Sequence, residues 1–340
     1  MLDQKKILIF KLAAIGDVVN ACRALTEFLE YNEIAAQFHW IIDKKLETLA
    51  KALLPQTIQI QWHPIHSQQL FQGNLFQKIN TLLHIFKIAL NTRPQFFLIL
   101  HRHWIYETLF KIFFSSTVLR LSKNPCRELE NYRSIFTKLA QILNLNKKPK
   151  SIQLKPHKLT QKIGILIGGA QNQKLLYKEK RWPIESQQEL ISKLLKETNN
   201  TVVLFGSSDD RDLEKQICVN YPNSKRIQSY VGKLALEELP QHLENLDVFI
   251  SIDSGLAQIA AWVMQAPQQK IISLFGPTDP NIWAPVPTQN NQVHVLYKSL
   301  SCSPCYKNDG IFLPCIYTGD SFQMCMKKIS VDEVFMKLID

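Results

Sequence analysis

An acidic residue stands where the first strand of the chain meets its first helix. The run KILIFK (6–11) is apolar enough for a buried strand, and Gly16 and Asp17 follow it after a short loop. A carboxylate at such a junction has two interpretations. It caps the free backbone N–H groups of the helix, or it acts as a general base toward a hydroxyl group. Asp17 does both if one oxygen caps and the other faces a substrate.

Three segments in the second half of the chain have the residue types of an anion site. Lys180 begins the run KRWP (180–183), whose proline suits the first turn of a helix. The runs DSGLAQ (253–258) and GPTDP (276–280) each follow an apolar strand. Helix N-termini and cations bind phosphate, so these segments predict a diphosphate site. Each one alone also fits a structural turn or a solvated basic loop.

Four of the seven cysteines share a C-terminal spacing of C-x2-C-x9-C-x9-C, at Cys302, Cys305, Cys315 and Cys325. Four thiolates can bind structural zinc, but the second pair is wider than the usual C-x2-C. The alternative is a surface subdomain with reduced thiols. That alternative agrees with the cytoplasmic location we expect, because MLDQKKILIF (1–10) has no signal-peptide pattern. We predict no cofactor and no catalytic metal.

These segments require strands that end at one edge of a sheet. Apolar runs predict strands at 6–11, 38–42, 57–61, 96–100, 162–167, 201–205, 248–252 and 270–275. Helical stretches alternate with them, which predicts an α/β fold with parallel sheets. The pattern restarts after a Lys- and Pro-rich linker at 146–162, so we expect two domains, 1–150 and 151–340. Ligands of such sheets bind beyond the carboxyl ends of the strands.

Charge is distributed unevenly between the two halves. Residues 1–150 contain 20 Lys and Arg against 10 Asp and Glu, a net of +10, whereas residues 151–340 contain 20 against 19, a net of +1. No carboxylate occurs from Thr48 to Tyr106. The basic half therefore predicts a polyanionic partner, which is a nucleic acid, an anionic membrane surface or a phosphorylated substrate. A generally basic protein without such a partner is the alternative.

A predicted helix at 75–90 has an apolar stripe that packs either into the core or against a membrane. Its apolar residues follow a helical period: Leu75, Ile79, Leu82, Leu83, Phe86 and Leu90. Such a stripe usually packs into a core, and contact with a membrane is the alternative. No run of 18 apolar residues occurs, so we expect no membrane span.

In order and spacing, these segments resemble the ADP-heptose:lipopolysaccharide heptosyltransferases of glycosyltransferase family 9. The resemblance covers nearly the whole chain and is carried by KILIFKLAAIGDVVNACRAL (6–25), LILHRHW (98–104), IGILIGGAQ (163–171), KRWPIE (180–185), VVLFGSSDD (202–210), VGKLALEEL (231–239), FISIDSGLAQIAA (249–261), SLFGPTDPNIWAP (273–285) and the later cysteines. It implies a GT-B fold, in which two Rossmann-like, doubly wound domains face each other across a cleft. The N-terminal domain would bind the acceptor and the C-terminal domain the nucleotide sugar.

The resemblance also implies roles for individual residues. Asp17 matches the proposed catalytic base of the family, and Lys180 matches a contact to the donor diphosphate. The other implied donor contacts are Asp210, Asp253, Ser254, Gly255, Leu256, Gln258, Thr278 and Asp279. We expect acceptor contacts from Lys11, His101, Arg102 and His103, and a solvated loop is the alternative for the last three.

Two positions depart from the family pattern. Gln258 stands where the family usually has His, and Gln donates a hydrogen bond but cannot become cationic. Asp210 replaces the usual Glu and is one methylene shorter, which puts its contact with the donor's ribose in doubt. These changes leave the expected fold intact and bear on the rate and the donor.

The implied activity is an inverting, metal-independent transfer of heptose from ADP-heptose. The acceptor would be the anionic inner core of lipopolysaccharide on Kdo-bearing lipid A, at the inner membrane surface. The enzyme would be cytoplasmic or peripheral at that surface. The alternatives are another nucleotide sugar or a protein acceptor, and a catalytically silent nucleotide-sugar-binding protein. No RNP, helix-turn-helix or zinc-finger pattern occurs, so we expect no nucleic-acid partner.

Overall fold

The computed structural model describes residues 5–101, 116–121, 126–146, 157–169, 171–172, 175–306 and 314–339. The chain divides into two compact units, Met1–Ile152 and Gln153–Asp340. Each unit is built around its own parallel sheet, so each is described separately.

Five parallel strands form the sheet of the N-terminal unit. They are β1 Lys5–Phe10, β2 Ala36–Asp43, β3 Ile60–Ile65, β4 Phe96–Ile99 and β5 Thr117–Arg120. Their order across the sheet is β3-β2-β1-β4-β5. The last four residues of β1 and all of β4 are buried, as expected for a parallel sheet with both faces covered.

The helices of this unit are α1 Ile15–Tyr31, α2 Glu47–Leu53, α3 Ser67–Phe71, α4 Leu75–Thr92 and α5 Glu128–Ile142. Ten residues of α1 are buried, and they include every position from Val18 to Thr26. Asn74 caps α4, because its side chain accepts the N–H of Gln77 at 2.9 Å. The C-terminal end of α4 is Arg93, in the left-handed region at φ 49°.

The C-terminal unit has a six-stranded parallel sheet of the same type. Its strands are β6 Lys162–Leu166, β9 Thr201–Phe205, β10 Ile227–Ser229, β11 Val248–Ile252, β12 Lys270–Phe275 and β13 Gln292–Tyr297. The short strands β7 Gln171–Asn172 and β8 Leu175–Leu176 form a separate antiparallel pair. The order across the main sheet is β10-β9-β6-β11-β12-β13.

The helices of the C-terminal unit are α6 Ile184–Glu197, α7 Arg211–Cys218, α8 Leu239–Glu244, α9 Gly255–Val263, α10 Pro280–Trp283, α11 Met324–Lys327 and α12 Val331–Ile339. The predicted strands at 201–205, 248–252 and 270–275 have the predicted bounds. The strand predicted at 57–61 lies at 60–65 instead, and β5, β10 and β13 were not predicted.

The preferred interpretation of the apolar stripe on α4 is wrong for four of its six residues, whereas Leu82 packs against the core. Leu75, Ile79, Leu83 and Leu90 are exposed. The face that packs inward contains Thr81 and Thr92 as well as Ile85, Ile88 and Ala89. Both threonine hydroxyls donate to the carbonyl four residues earlier, at 2.8 and 2.7 Å, so their burial leaves no hydroxyl unpaired. A prediction based on hydrophobicity alone therefore chose the face of α4 that is exposed to solvent.

Among the described residues, no helix combines the length and the apolar content that a bilayer crossing needs.

Candidate active site

Some of the predicted residues lie at the position in each sheet where parallel α/β folds bind ligands. In the N-terminal unit the strand order reverses between β1 and β4, and in the C-terminal unit between β6 and β11. Loops beyond the carboxyl ends of two such strands diverge and leave a crevice. Asp17 and His101 follow β1 and β4, while Gly169 and Asp253 follow β6 and β11.

Asp17 lies in the first turn of α1, which begins at Ile15. The residue at the N-cap is Ala14, so Asp17 is not the N-cap itself. Its Oδ2 accepts the backbone N–H of Ala14 at 3.4 Å and a hydrogen bond from the Lys11 ammonium at 2.8 Å. Among the described residues, Oδ1 has no hydrogen-bond partner, and the side chain is 26% exposed. One oxygen is held and the other is left for a substrate.

Lys11 has a role that the sequence did not predict. The residue is 3% exposed, and its ammonium contacts Asp17 and lies 5.6 Å from the centre of the Tyr132 ring. This burial departs from the expected direct contact with an acceptor, because the charge is already neutralised inside the protein. A buried ammonium next to one carboxylate oxygen fixes that carboxylate in place.

His101 packs against the loop that precedes α1. Its Nε2 accepts the backbone N–H of Leu12 at 2.9 Å, so the proton of a neutral His101 is on Nδ1. The ring also lies against Phe10, with centroids 5.2 Å apart. Arg102 and His103 lie outside the described residues. The acceptor contacts of all three residues stay predictions.

The start of α9 has the geometry of an anion site. Ser254 is the N-cap, and its hydroxyl accepts the N–H of Ala257 at 3.2 Å and bonds to the Ser251 hydroxyl at 2.8 Å. The backbone N–H groups of Gly255 and Leu256 belong to the first turn, where a helix has no internal acceptors for them. An anion at this position would gain two N–H donors and the favourable end of the helix dipole.

Lys180 and Asp253 form an ion pair beside this helix start. Lys180 Nζ lies 2.6 Å from Asp253 Oδ2, and both side chains are less than one-fifth exposed. The ammonium is also 6.0 Å from the centre of the Tyr306 ring. A carboxylate repels phosphate, so Asp253 is suited to holding Lys180 and not to direct anion contact. The donor contacts of both residues stay predictions.

Gln258 and the loop after β12 are joined by a hydrogen bond. Gln258 Nε2 donates to the carbonyl oxygen of Trp283 at 2.9 Å, which leaves the second amide hydrogen for another acceptor. Asp279 caps α10 by accepting the N–H of Asn281 at 2.9 Å. The Thr278 hydroxyl and the Trp283 indole N–H are buried without hydrogen-bond partners among the described residues. Such groups occur where a polar ligand or water completes a site.

Asp210 is occupied by protein groups. It is 1% exposed, Oδ1 pairs with Arg181 at 2.7 Å, and Oδ2 accepts the backbone N–H groups of Ser207 at 2.8 Å and Gly169 at 3.3 Å. Arg181 also donates to the Gly169 carbonyl at 3.1 Å. A Cβ on Gly168 would lie 2.0 Å from Asp210 Oδ1, so this loop requires glycine. The predicted ribose contact stays a prediction and would require one of these bonds to be exchanged.

The segment from Cys305 to Ile329 forms hydrogen bonds with two loops of the candidate site. Trp182 is buried and donates its indole N–H to the Ile329 carbonyl at 3.0 Å. The backbone N–H groups of Cys305 and Tyr306 donate to the Pro277 carbonyl at 3.0 and 2.9 Å. This segment therefore fixes both the KRWP run and the turn after β12.

The four cysteines of the predicted group influence one another electrostatically. Burial, together with smaller contributions from Cys305, Cys302 and Cys315, raises the pKa of the Cys325 thiol to about 11. Burial also raises the pKa of Cys305, with a contribution from Cys302 and Cys315. All four are free thiols. Within the described part of the chain, no three His, Cys, Asp or Glu side chains are arranged to hold a metal ion. The zinc interpretation thus has no assembled ligand set here.

Sequence reasoning missed Arg181, Gly168, Trp283 and Tyr306. Arg181 and Gly168 were inside quoted motifs, but a motif does not say which residue pairs with which. Tyr306 and Trp283 contact each other edge-on, with centroids 6.2 Å apart. Tyr306 directly follows Cys305 of the predicted cysteine group, and this position was the one sequence signal that could have drawn attention to it.

The chain matches a family model described as glycosyltransferase family 9 (heptosyltransferase) over residues 131–315, more than half its length. A comparison with curated protein sequences found no match.

Several solved structures share the fold over nearly the entire chain. A glycosyl transferase of family 9 from Veillonella parvula is 18% identical with a TM-score of 0.68, over 98% of this chain and 96% of that chain. E. coli heptosyltransferase WaaC, solved with ADP, is 15% identical with a TM-score of 0.67, over 98% and 99%. E. coli ADP-heptose lps heptosyltransferase II is 17% identical with a TM-score of 0.64, over 98% and 97%. These likenesses confirm the predicted GT-B fold.

Proposed function

Because the chain belongs to glycosyltransferase family 9, we propose that it transfers a heptose from ADP-heptose to the anionic inner core of lipopolysaccharide. Family membership makes the chain a glycosyltransferase. The donor, the acceptor and the residue roles below are the proposed part.

The C-terminal unit is the proposed donor domain. Its candidate anion site combines the Gly255 and Leu256 N–H groups with the Lys180 ammonium, which is the chemistry a nucleoside diphosphate needs. The buried Thr278 hydroxyl and Trp283 N–H would serve the nucleotide side. We propose that the nucleotide of the donor is ADP, because the structure of WaaC, which has this fold, was solved with ADP.

One observation supports the catalytic role of Asp17 most directly. Oδ2 is held by Lys11 and the Ala14 N–H, while Oδ1 has no partner among the described residues. A general base needs an ionised carboxylate that is fixed in position and has an open oxygen. Asp17 therefore combines a structural and a chemical function.

The proposed reaction is a single displacement. Asp17 Oδ1 takes the proton of the acceptor hydroxyl, whose oxygen bonds to the anomeric carbon. The bond from that carbon to the diphosphate oxygen breaks, and its electron pair leaves with ADP, which inverts the configuration. Lys180 and the first turn of α9 stabilise the charge that develops on the diphosphate. No metal ion is assigned a role in this scheme.

The acceptor assignment is supported by charge. The half of the chain that contains Asp17 has a net charge of +10, from 20 basic and 10 acidic residues. A phosphorylated, Kdo-bearing lipid A core is polyanionic, so the field of this domain attracts it. The same acceptor would bring the enzyme to the inner face of the inner membrane.

A donor panel tests the substrate pair. The full chain is incubated with a defined, truncated Kdo-lipid A core and one nucleotide sugar at a time: ADP-heptose, UDP-glucose or GDP-mannose. Mass spectrometry then measures the mass of the acceptor. We expect one added heptose from ADP-heptose only, with an unchanged rate in EDTA. Transfer of another sugar contradicts the proposed donor. Tight binding of ADP-heptose without its consumption would instead indicate a silent binding protein.

The role of Asp17 is tested by Asp17→Asn. This change keeps the shape and removes the base, so turnover should fall roughly 10²–10⁴-fold while donor affinity is retained. Glu30→Gln is the matched control, because Glu30 is an exposed carboxylate on the same helix. An Asp17→Asn enzyme with native turnover and native thermal stability would rule out this residue as the base.

A further inference from the structure

Helix α4 presents two apolar faces. One packs on the sheet through Thr81, Ile85, Ile88, Ala89 and Thr92. The other is directed to solvent, where Leu75 is 75%, Phe76 72% and Leu83 60% exposed, and Ile79 and Leu90 are nearly half exposed. Single exposed leucines are ordinary on proteins, but five large apolar side chains on one face of one helix are a contiguous patch.

The positions of these side chains define a stripe with charged edges. At about 100° per residue, Leu75, Ile79, Leu83, Phe76 and Leu90 fall within an arc of roughly 100°. Lys87 lies next to one edge of the arc and Lys78 next to the other. A lysine at such an edge can lay its aliphatic part along the apolar stripe and extend its ammonium outward.

The sequence segment that contains α4 has basic residues and no carboxylate. No Asp or Glu occurs in α4, nor anywhere from Thr48 to Tyr106, whereas Lys78, Lys87 and Arg93 fall in that range. Most basic surfaces of folded proteins are interspersed with carboxylates. The charged residues of α4 and of its C-cap are all positive, which favours an anionic partner for this face.

We propose that the outer face of α4 docks on an anionic phospholipid surface, with the helix lying in the plane of the interface. An apolar stripe bordered by lysines is the pattern of interfacial helices, which bury the apolar side among acyl chains and place lysines at the headgroups. A second copy of the chain is disfavoured as the occupant, because two such faces would bring like charges together. This inference goes beyond the proposed transfer reaction, and its test requires no activity.

The experiment is flotation of the full chain with vesicles of phosphatidylcholine alone or mixed with phosphatidylglycerol. We expect binding to the anionic vesicles, weak binding to the neutral ones, and loss of binding as salt rises from about 0.05 to about 0.5 M. The double variant Phe76→Ser/Leu83→Ser should bind anionic vesicles about tenfold or more weakly, because two apolar anchors are lost. Lys78→Gln/Lys87→Gln should weaken binding to anionic vesicles only.

The matched control is Val219→Ser, since Val219 is 69% exposed and lies in the other unit of the chain. It should bind vesicles like the native protein. Unchanged thermal stability of each variant shows that the fold is intact, as expected for exposed positions. Transfer to a water-soluble acceptor, if the proposed function holds, should be unaffected by the α4 changes.

Two results would overturn the proposal. One is vesicle binding by Phe76→Ser/Leu83→Ser that equals native binding. The other is a native chain that self-associates without lipid and a double variant that is monomeric, which would identify the face as a contact between copies. Failure of heptose transfer with intact vesicle binding would refute the proposed function and leave this inference standing.

Discussion

The two units hold a carboxylate of the candidate site in different ways. Beyond β1, Asp17 is held at one oxygen by one buried lysine and stays 26% exposed. Beyond β9, Asp210 is 1% exposed, pairs with Arg181 and accepts backbone N–H groups from the loops after β6 and β9. An aspartate beyond a strand end is thus left open in one unit and fully engaged in the other. An engaged carboxylate shapes a binding loop, and an open one can take part in chemistry.

Removing the buried carboxylate of Asp210 should have the largest effect on stability. Asp210→Ala leaves the Arg181 guanidinium and the Ser207 and Gly169 N–H groups without their acceptor. Removal of one partner from a buried ion pair costs about 3–5 kcal/mol, so the free energy of unfolding should fall by that amount. Urea denaturation of the full chain measures it.

The matched control for this prediction is Asp212→Ala. Asp212 pairs with Lys215 at 3.1 Å, but the two side chains are 85% and 78% exposed. An exposed pair contributes about 0–1 kcal/mol, so the control should be nearly neutral. Equal losses in the two variants would contradict the distinction between an engaged and an exposed carboxylate.

Removing the lysine that holds Asp17 should affect turnover more than stability. Lys11→Met removes the ammonium that positions Asp17, and a displacement of about 1 Å in a catalytic group can cost roughly 10²-fold in rate. We expect kcat to fall by that factor while the KM for the donor stays unchanged. Steady-state kinetics with a truncated acceptor checks this.

Lys51→Met serves as the control for Lys11→Met, because Lys51 forms an exposed pair with Glu47 in the same unit. It removes one positive charge without touching Asp17, so kcat should remain native. If Lys11→Met raises KM and leaves kcat intact, Lys11 acts in binding and does not position the base.

A smaller effect is expected from acid, and it should be confined to the N-terminal unit. Burial, together with the nearby charges of His63 and Lys6, lowers the pKa of His39 to about 4. His39 Nδ1 lies 3.1 Å from His63 Nε2 across strands β2 and β3. The unfolded state binds the proton near pH 6.5. Stability is therefore complete above that pH and declines as the pH falls toward about 4.

Hydrogen exchange at about pH 7.5 and about pH 5 locates the loss, since β2 and β3 should lose protection while β6 and β9 keep theirs. His39→Gln should reduce the difference between the two conditions. His66→Gln, at an exposed position, should not. Acid sensitivity that begins in the C-terminal unit would contradict this assignment.

Much of the fold could be predicted from the sequence, because buried parallel strands are apolar runs that need no partner to be recognised. The three strands that match their predicted bounds, β9, β11 and β12, are fully or almost fully buried. Motifs such as DSGLAQ were found for a related reason: small residues, a cap and a helix start follow one another locally. The resemblance to the family rests on the order of these local signals.

The outward face of α4, the partner of Lys11 and the partners of Asp210 were settled only by the tertiary structure. Hydrophobicity favoured the wrong face of α4, since threonines that bond to their own helix can be buried as readily as leucines. Lys11 and Lys180 were expected to contact substrates, and each is paired with a carboxylate of the protein. The sequence determined which chemical groups stand at the strand ends. Contacts between distant segments decided which of those groups are already paired within the protein, because such partners come from parts of the chain that no local pattern connects.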